Sequence, residues 1–329
     1  MASIGKSLQR TLGKTSSLDA MEQEIRNQVE DLPSFIRELG KDDQFRNLDP
    51  SSMIFTGSGD SFASSIFVHY LSEMQAFAAD PFDLQLYPQV CKNKTIFITS
   101  VSGKTRTNIQ LARKVKGVAK KRVAITANPK SPLAKECDDA IQLRYRSSGI
   151  VTSGTASFSA ALVAVASLIR RLPKLDSLSV MERRAAEWAR RLQVHPRGDF
   201  LFVGSGTGYS LSMYAAFKIH EVLGLPAQHQ HTEQLGHSQL FSLKEKRDNL
   251  FFLDPSLDEK TSEVFRVLSK NGFHAYLLKG STANPILAAL QVMFCLQHLA
   301  LYLGRKTGLQ ECAFVTDKKR LALSSRLIY

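Results

Sequence analysis

Lys218, Glu221 and His237 are the residues of this chain whose types and spacing could move a proton. In "MYAAFKIHEVLGLPAQHQHTEQLGHSQLF" Lys218 and Glu221 stand three apart, so a helix puts them on one face, and His237 follows Glu221 by sixteen positions. A carboxylate can take a carbon-bound proton, an ammonium can steady the charge left behind, and an imidazole can relay a second proton. A surface ion pair and an ordinary loop histidine would use the same residues.

A second group could hold an anion. "SVSGKTRTN" (residues 100–108) lies between an apolar run and a helical pattern and carries hydroxyls at Ser100, Ser102, Thr105 and Thr107, with Gly103 among them. A helix starting near Thr107 would aim its free amides and positive dipole end at the loop. Gly103 would let the backbone approach a ligand, and the hydroxyls could donate to a phosphate monoester. Capping and turn formation would also use serine and threonine here.

Other chemistries fit less well. A nucleotide P-loop would need glycine five positions before Gly103, where Ile98 stands, and a dinucleotide fingerprint would need it at Phe62 and Tyr209. His229, His231 and His237 could form a three-histidine metal set but lack a companion carboxylate in a zinc pattern, so no metal and no other cofactor is expected. The net charge of +13 is scattered in small groups such as Lys120-Lys121-Arg122, which suggests a solvated basic surface rather than a nucleic-acid site. Cys91, Cys137, Cys295 and Cys312 form no C-x-x-C pair and fit reduced thiols in the cytoplasm. The longest apolar stretch, residues 288–303, is interrupted by Gln291, Gln297 and His298 and is expected to fall short of a membrane span.

The elements needed to position these groups follow from the pattern. Candidate strands "MIFTG", "TIFITS", "VAITA" and "AIQL" alternate with helical runs in the first half, and "DFLFVG", "NLFFLDP" and "FHAYLL" restart the alternation. "FTGSGDSFAS" from Phe55 and "FVGSGTGYSL" from Phe202 share Phe, Gly, Ser and Gly at an offset of 147, which indicates a duplication. A helix is expected over residues 160–172, then a connector "PKLDSLSV" and an amphipathic helix "MERRAAEWARRL". The second half's strand exit, "LDPSLDE", holds acids where the first half has hydroxyls, so one anion cradle is expected. Residues 1–20 read as a basic disordered tail, 21–175 as the phosphate-binding domain, and 176–329 as the domain with the base and the closing segment.

With these motifs in place, the chain resembles the SIS (sugar isomerase) family with two tandem SIS domains. The closest pattern is the isomerase half of glucosamine-6-phosphate synthase and related phosphosugar isomerases and deaminases. "GSGDS" resembles the family's G-x-G-x-S turn, "SVSGKTRT" its S-x-S-G-x-T phosphate loop, "VTSGTASFSAAL" its sugar-lining segment, and "AFKIHE … EQLGH" its base-to-histidine region. The resemblance implies an α/β fold, each domain a parallel sheet flanked by helices in a flavodoxin- or Rossmann-like three-layer sandwich. It implies that Ser100, Val101, Ser102 and Thr105 bind the phosphate, with Ser58, Gly59 and Ser61 beside them and Ser153 and Thr155 on the sugar. Glu221 would move the proton between C1 and C2, Lys218 would steady the enediol charge, and His237 would open the ring from a neighbouring subunit.

The expected activity is aldose–ketose isomerisation of a hexose 6-phosphate, with ammonia release from an amino sugar phosphate in the manner of glucosamine-6-phosphate deaminase. Phosphoglucose or phosphomannose isomerisation and a non-catalytic phosphosugar sensor are the alternatives. The sequence shows no glutaminase segment ahead of the SIS-like region, so glutamine-dependent amination is not expected. A homodimer with shared active sites is expected, residues 288–303 contributing contact surface, and neither nucleic acid nor membrane is an expected partner. In "DKKRLALSSRLIY" Ser324 stands where synthases carry a lysine, with Lys318 and Lys319 as the nearby substitutes.

Overall fold

The computed structural model describes residues 15–41, 45, 48–195 and 198–329. The first half holds β1 (Met53–Gly57), β2 (Phe77–Ala78), β3 (Thr95–Thr99), β4 (Lys121–Thr126) and β5 (Asp139–Gln142), paired in parallel in the order β2-β1-β3-β4-β5. Its helices are α1 (Ser17–Leu39), α2 (Asp60–Leu71), α3 (Pro81–Leu86), α4 (Arg106–Lys114), α5 (Pro132–Glu136) and α6 (Ala156–Ser167). The second half holds α7 (Leu178–Arg191), β6 (Phe200–Gly204), α8 (Thr207–Leu223), β7 (Ala227–His231), α9 (Thr232–Leu235) and β8 (Asn249–Asp254). It continues with α10 (Glu259–Lys270), β9 (His274–Lys279), α11 (Pro285–Lys306), α12 (Ala313–Thr316) and α13 (Lys318–Ile328). Its sheet is parallel in the order β7-β6-β8-β9.

The strands form where apolar and β-branched residues run without alternation. All residues of β1, β3, β6 and β8 are buried, as parallel strands covered on both faces require. α2 and α8 follow β1 and β6 and are apolar nearly all round, because they lie between the two sheets. One hydrophobic core, built from α1, α2, α6, α8, α11 and the inner sheet faces, runs through both halves. Ser210 on α8 donates to the Ala63 carbonyl on α2 at 3.0 Å, and these two positions are themselves 147 apart, so the helices meet where equivalent points of the repeat face each other.

Four expectations change. α1 starts at Ser17, because Ser16 caps it by accepting from the Asp19 amide at 3.1 Å and Leu18 and Ala20 enter the core; the expected tail therefore does not extend to residue 20, and its residues 1–14 lie outside the described residues. α6 begins at Ala156, four residues ahead of its expected start. The stretch 288–303 belongs to α11, which is long and apolar enough to cross a membrane but is mostly buried against α1, α7 and α8. For the same reason it is not an available dimer surface. Finally, β7 pairs with β6 although its sequence, AQHQH, carries no strand-forming residue.

Candidate active site

β1 and β3 lie side by side, with Gly57 opposite Thr99, and the chain leaves β1 toward β2 but β3 toward β4. The loops leaving their carboxyl ends therefore open at the sheet's switch point, where open α/β sheets place ligands. Between β1 and α2 the chain turns through Gly59, whose φ of 59° and ψ of −129° favour glycine; Gly206 repeats this conformation at 54° and −131°. The duplicated motif thus encodes a duplicated backbone turn.

The loop between β3 and α4 holds the hydroxyls. Ser100 is buried and its Oγ lies 3.1 Å from Thr105 Oγ1. Thr105 is the N-cap residue of α4 yet makes no side-chain capping bond, so capping does not account for its hydroxyl. The amides of Arg106, Thr107 and Asn108 donate to no acceptor among the described residues, leaving the helix N-terminus open. Ser102 Oγ accepts from the Lys104 amide at 3.2 Å. Gly103 has a φ of +62°, and a Cβ there would lie 2.1 Å from Ser131 Oγ. Val101 packs its side chain against the core, and its carbonyl accepts from the Ala127 amide at 3.0 Å and from Thr126 Oγ1 at 3.1 Å.

The corresponding helix N-terminus in the second half is capped by a side chain. Asp258 caps α10 by accepting from the Thr261 amide at 2.7 Å, while the buried Asp254 accepts from the Asp258 amide at 2.7 Å and Ser262 Oγ at 3.2 Å. There a carboxylate takes an amide of the helix N-terminus, whereas at α4 the first amides stay open.

α8 carries the acid–base group. Lys218 is 1% exposed, and its Nζ donates to Glu221 Oε2 at 2.5 Å, Asp60 Oδ2 at 2.8 Å and the Gly154 carbonyl at 3.2 Å, which uses all three of its protons. Burial works against the ammonium, but Asp60 and then Glu221 outweigh it and hold the pKa above the ordinary lysine value. Ser153 Oγ donates to the same Glu221 Oε2 at 2.6 Å, and Oε1 has no partner among the described residues. Tyr214 stacks on Phe158 with ring centroids 3.8 Å apart and donates to the Gly154 carbonyl at 2.9 Å, forming a floor under Lys218.

Asp60 is the residue that sequence reasoning missed, although it sits inside the quoted "GSGDS" turn. Burial pushes its pKa up to about 7, with Glu221 adding to the rise and Lys218 opposing it. Its Oδ1 is buried and has no hydrogen-bond partner among the described residues. Gly154 was likewise overlooked: a Cβ there would stand 2.6 Å from Asp60 Oδ2.

The turn at residues 57–61 joins the two groups. Ser58 Oγ donates to Asn108 Oδ1 at 3.4 Å, Asn108 Nδ2 in turn donates to the Thr99 carbonyl at 3.2 Å, and Asp60 reaches Lys218. Ser58 and Asp60 are two residues apart, so their Cα atoms are separated by about 7 Å at most. Ser61 is buried behind the turn, and Thr155 stands at the N-cap position of α6 without a capping bond, its buried Oγ1 having no partner among the described residues.

The structure does not bring His237 to this cluster. Its imidazole is exposed, lies 3.3 Å from Glu233 and lines a surface cavity of about 350 Å³ with Leu240, Lys260 and Val264. His229 and His231 instead pack on Tyr209, and burial lowers the pKa of both. Among the described residues no group of three His, Cys, Asp or Glu is arranged to hold a metal. Lys318 and Lys319 are exposed at the start of α13, whereas the other end of that helix reaches α4: Arg106 donates to the Arg326 and Leu327 carbonyls at 3.4 and 3.3 Å.

Residues 48–169 match the SIS domain family. This SIS region contains the Gly59 turn, the hydroxyl loop and Gly154, but neither Lys218 nor Glu221; the match leaves the second sheet out, so it does not itself carry the expected tandem pair. No curated protein sequence matches the chain. Among solved structures, glucosamine-6-phosphate deaminase from Thermotoga maritima superposes with a TM-score of 0.73 at 19% identity, over 88% of this chain and 96% of that one. Tagatose-6-phosphate ketose/aldose isomerase from Escherichia coli gives 0.69 at 17% identity, over 88% and 94%. The C-terminal domain of glucosamine-fructose-6-phosphate aminotransferase from Francisella tularensis gives 0.65 at 16% identity, over 89% and 97%. At these identities the likeness establishes the fold, including both sheets.

Proposed function

We propose that the protein is a phosphosugar isomerase built from two SIS domains, of which the first binds the phosphate and the second supplies the base. One observation carries this reading: the Gly59 turn touches the open N-terminus of α4 through Ser58 and the Lys218–Glu221 group through Asp60. An anion cradle and a proton-transfer group thus lie at opposite ends of one short turn, as a sugar 6-phosphate gripped by its phosphate requires. The order β2-β1-β3-β4 within the first sheet, repeated as β7-β6-β8-β9 in the second, and the matching Gly59 and Gly206 turns favour the tandem arrangement.

In this reading the hydroxyls of Ser100, Ser102 and Thr105 and the first amides of α4 take the phosphate. Ser58, Gly59 and Ser61 shape the turn beside it, while Ser153 and Thr155 border the sugar. Glu221 removes the C2 proton of the open-chain aldose with Oε1 and returns it to C1, and Lys218 offsets the charge of the enediolate. His237 opens the ring at the site of a partner subunit. With an amino sugar phosphate, the isomerised imine takes up water and releases ammonia, leaving the ketose phosphate. The four unbridged cysteines are in keeping with a reducing cytoplasm.

Incubation with glucosamine 6-phosphate, fructose 6-phosphate and mannose 6-phosphate in deuterated water tests the assignment. Solvent deuterium at C1 or C2 is expected with at least one of them, and ammonia release distinguishes deamination from simple isomerisation. Absence of exchange with every hexose phosphate overturns the assignment.

A further inference from the structure

Asp60 has no part in the proton transfer just described, yet it is built into the site with care. It stands at the first position of α2, directly after the Gly59 turn, and its Oδ2 lies 2.8 Å from Lys218 Nζ. Its place depends on a glycine, since any side chain at position 154 would collide with Oδ2. The repeat supplies a control: the equivalent residue of the second turn is Thr207, whose hydroxyl lies 3.1 Å from Ser256 Oγ and meets no lysine. A carboxylate therefore stands only at the turn that faces the ammonium.

We propose that Asp60 is a positioning residue that shares the Lys218 ammonium with Glu221 and so keeps the base free to accept a proton from carbon. The inference rests on the reading of Glu221 as the base. Lys218 is held from three directions, by Asp60, by the Gly154 carbonyl and by Glu221. While Asp60 is ionised, the ammonium is drawn toward it and the Glu221 carboxylate faces only part of the charge. Once Asp60 takes up a proton, that pull is lost, and the ammonium turns its charge on Glu221 alone and pins the carboxylate in a closed ion pair.

The charged groups acting on Asp60 are Lys218 and Glu221, both on α8. The loop before α6 contributes only the neutral Ser153 hydroxyl and Gly154 carbonyl, and Tyr214 beneath them is a phenol whose pKa burial holds above its ordinary value. Because burial holds the Asp60 pKa at about 7, the transition between the two arrangements falls near neutrality. Asp60→Asn then imitates the protonated state at every pH.

The wild-type protein is compared with Asp60→Asn and with Asp60→Thr, the residue found at the equivalent turn of the second half. For wild type, kcat should rise as pH passes through about 7. For either variant, kcat should be flat from pH 6 to 8 and lie about 10- to 100-fold below the wild-type plateau, with KM changed less than about threefold. A second readout needs no substrate: in carboxyl-labelled protein, the Asp60 13Cγ resonance, assigned by its loss in Asp60→Asn, should titrate near neutrality. Titration in the ordinary carboxylate range overturns the proposal, as does a folded variant that keeps the wild-type pH profile. Failure of both variants to fold also overturns it, since Asp60 would then be structural. If the resonance titrates near neutrality but no sugar phosphate is turned over by wild type, the shared ammonium stands and the isomerase reading falls.

Discussion

Glu221 presents two oxygens in different surroundings: Oε2 is held by Lys218 and Ser153, and Oε1, without a partner among the described residues, is the one the proposed mechanism uses. Glu221→Gln keeps the shape and removes the basicity, so deuterium exchange should drop by about 10² to 10⁴ while sugar phosphate binding, measured calorimetrically, persists. Lys218→Met is a different kind of change, because it leaves two carboxylates facing each other without a cation. Denaturant unfolding should register a loss of about 3 to 5 kcal/mol, the usual cost of removing one partner from a buried charge group. Asp60 gives stability a pH dependence of definite sign. Its native pKa of about 7 exceeds the ordinary 3.8, so between these values the native state binds more protons than the unfolded chain, and stability falls as pH rises. The Tm of wild type relative to Asp60→Asn should therefore decline from pH 4 to 7 and level off above; a constant difference would contradict the buried, protonatable Asp60.

At the level of elements, the decisive contrast is between two helices after equivalent strands. α10 is closed by Asp258, whereas α4 is open, and its entering loop depends on Gly103. Gly103→Ala should abolish phosphate binding, since the new Cβ meets Ser131 and the residue must keep a positive φ. Asp258→Ala should leave binding intact and cost about 1 kcal/mol of stability, the worth of a lost cap. Isothermal titration with inorganic phosphate and thermal melts of both variants separate these outcomes. The central strands were legible because buried parallel strands must be apolar throughout, and β1, β3 and β8 fall within a residue of where their sequences place them. β7 was not legible: AQHQH is an edge strand held by backbone pairing to β6, and His229 and His231 lean on Tyr209, a partner 20 and 22 positions away that no local pattern reveals. The candidate site was readable to the same extent. Hydroxyls between a strand and a helix announce themselves by composition, and Lys218 and Glu221 by helical spacing. Asp60 became meaningful only when folding placed it against a residue 158 positions away.

At the scale of the molecule, one chain carries the proposed phosphate loop, the proposed base and His237, but only the first two are joined by the turn at Gly59. His237 is exposed beside Glu233 and lines a surface cavity with α10 residues rather than the Lys218–Glu221 group, and α11 is spent on the shared core of the two halves. If ring opening uses His237, the imidazole must enter the site of a second copy, and that arrangement can be tested without knowing the interface. Glu221→Gln and His237→Ala should each be nearly inactive alone. In a subunit exchange of equal amounts, half of the dimers are mixed, and in each of these one site combines both defects while the other has neither. Activity should therefore return to about a quarter of the wild-type level, the statistical share of intact sites in a two-fold symmetric dimer. A protein that works with each site inside one chain would show no recovery, because every site would still carry one substitution. The assay is best made with a substrate supplied in its cyclic form, since an open-chain substrate would bypass His237 and mask its loss.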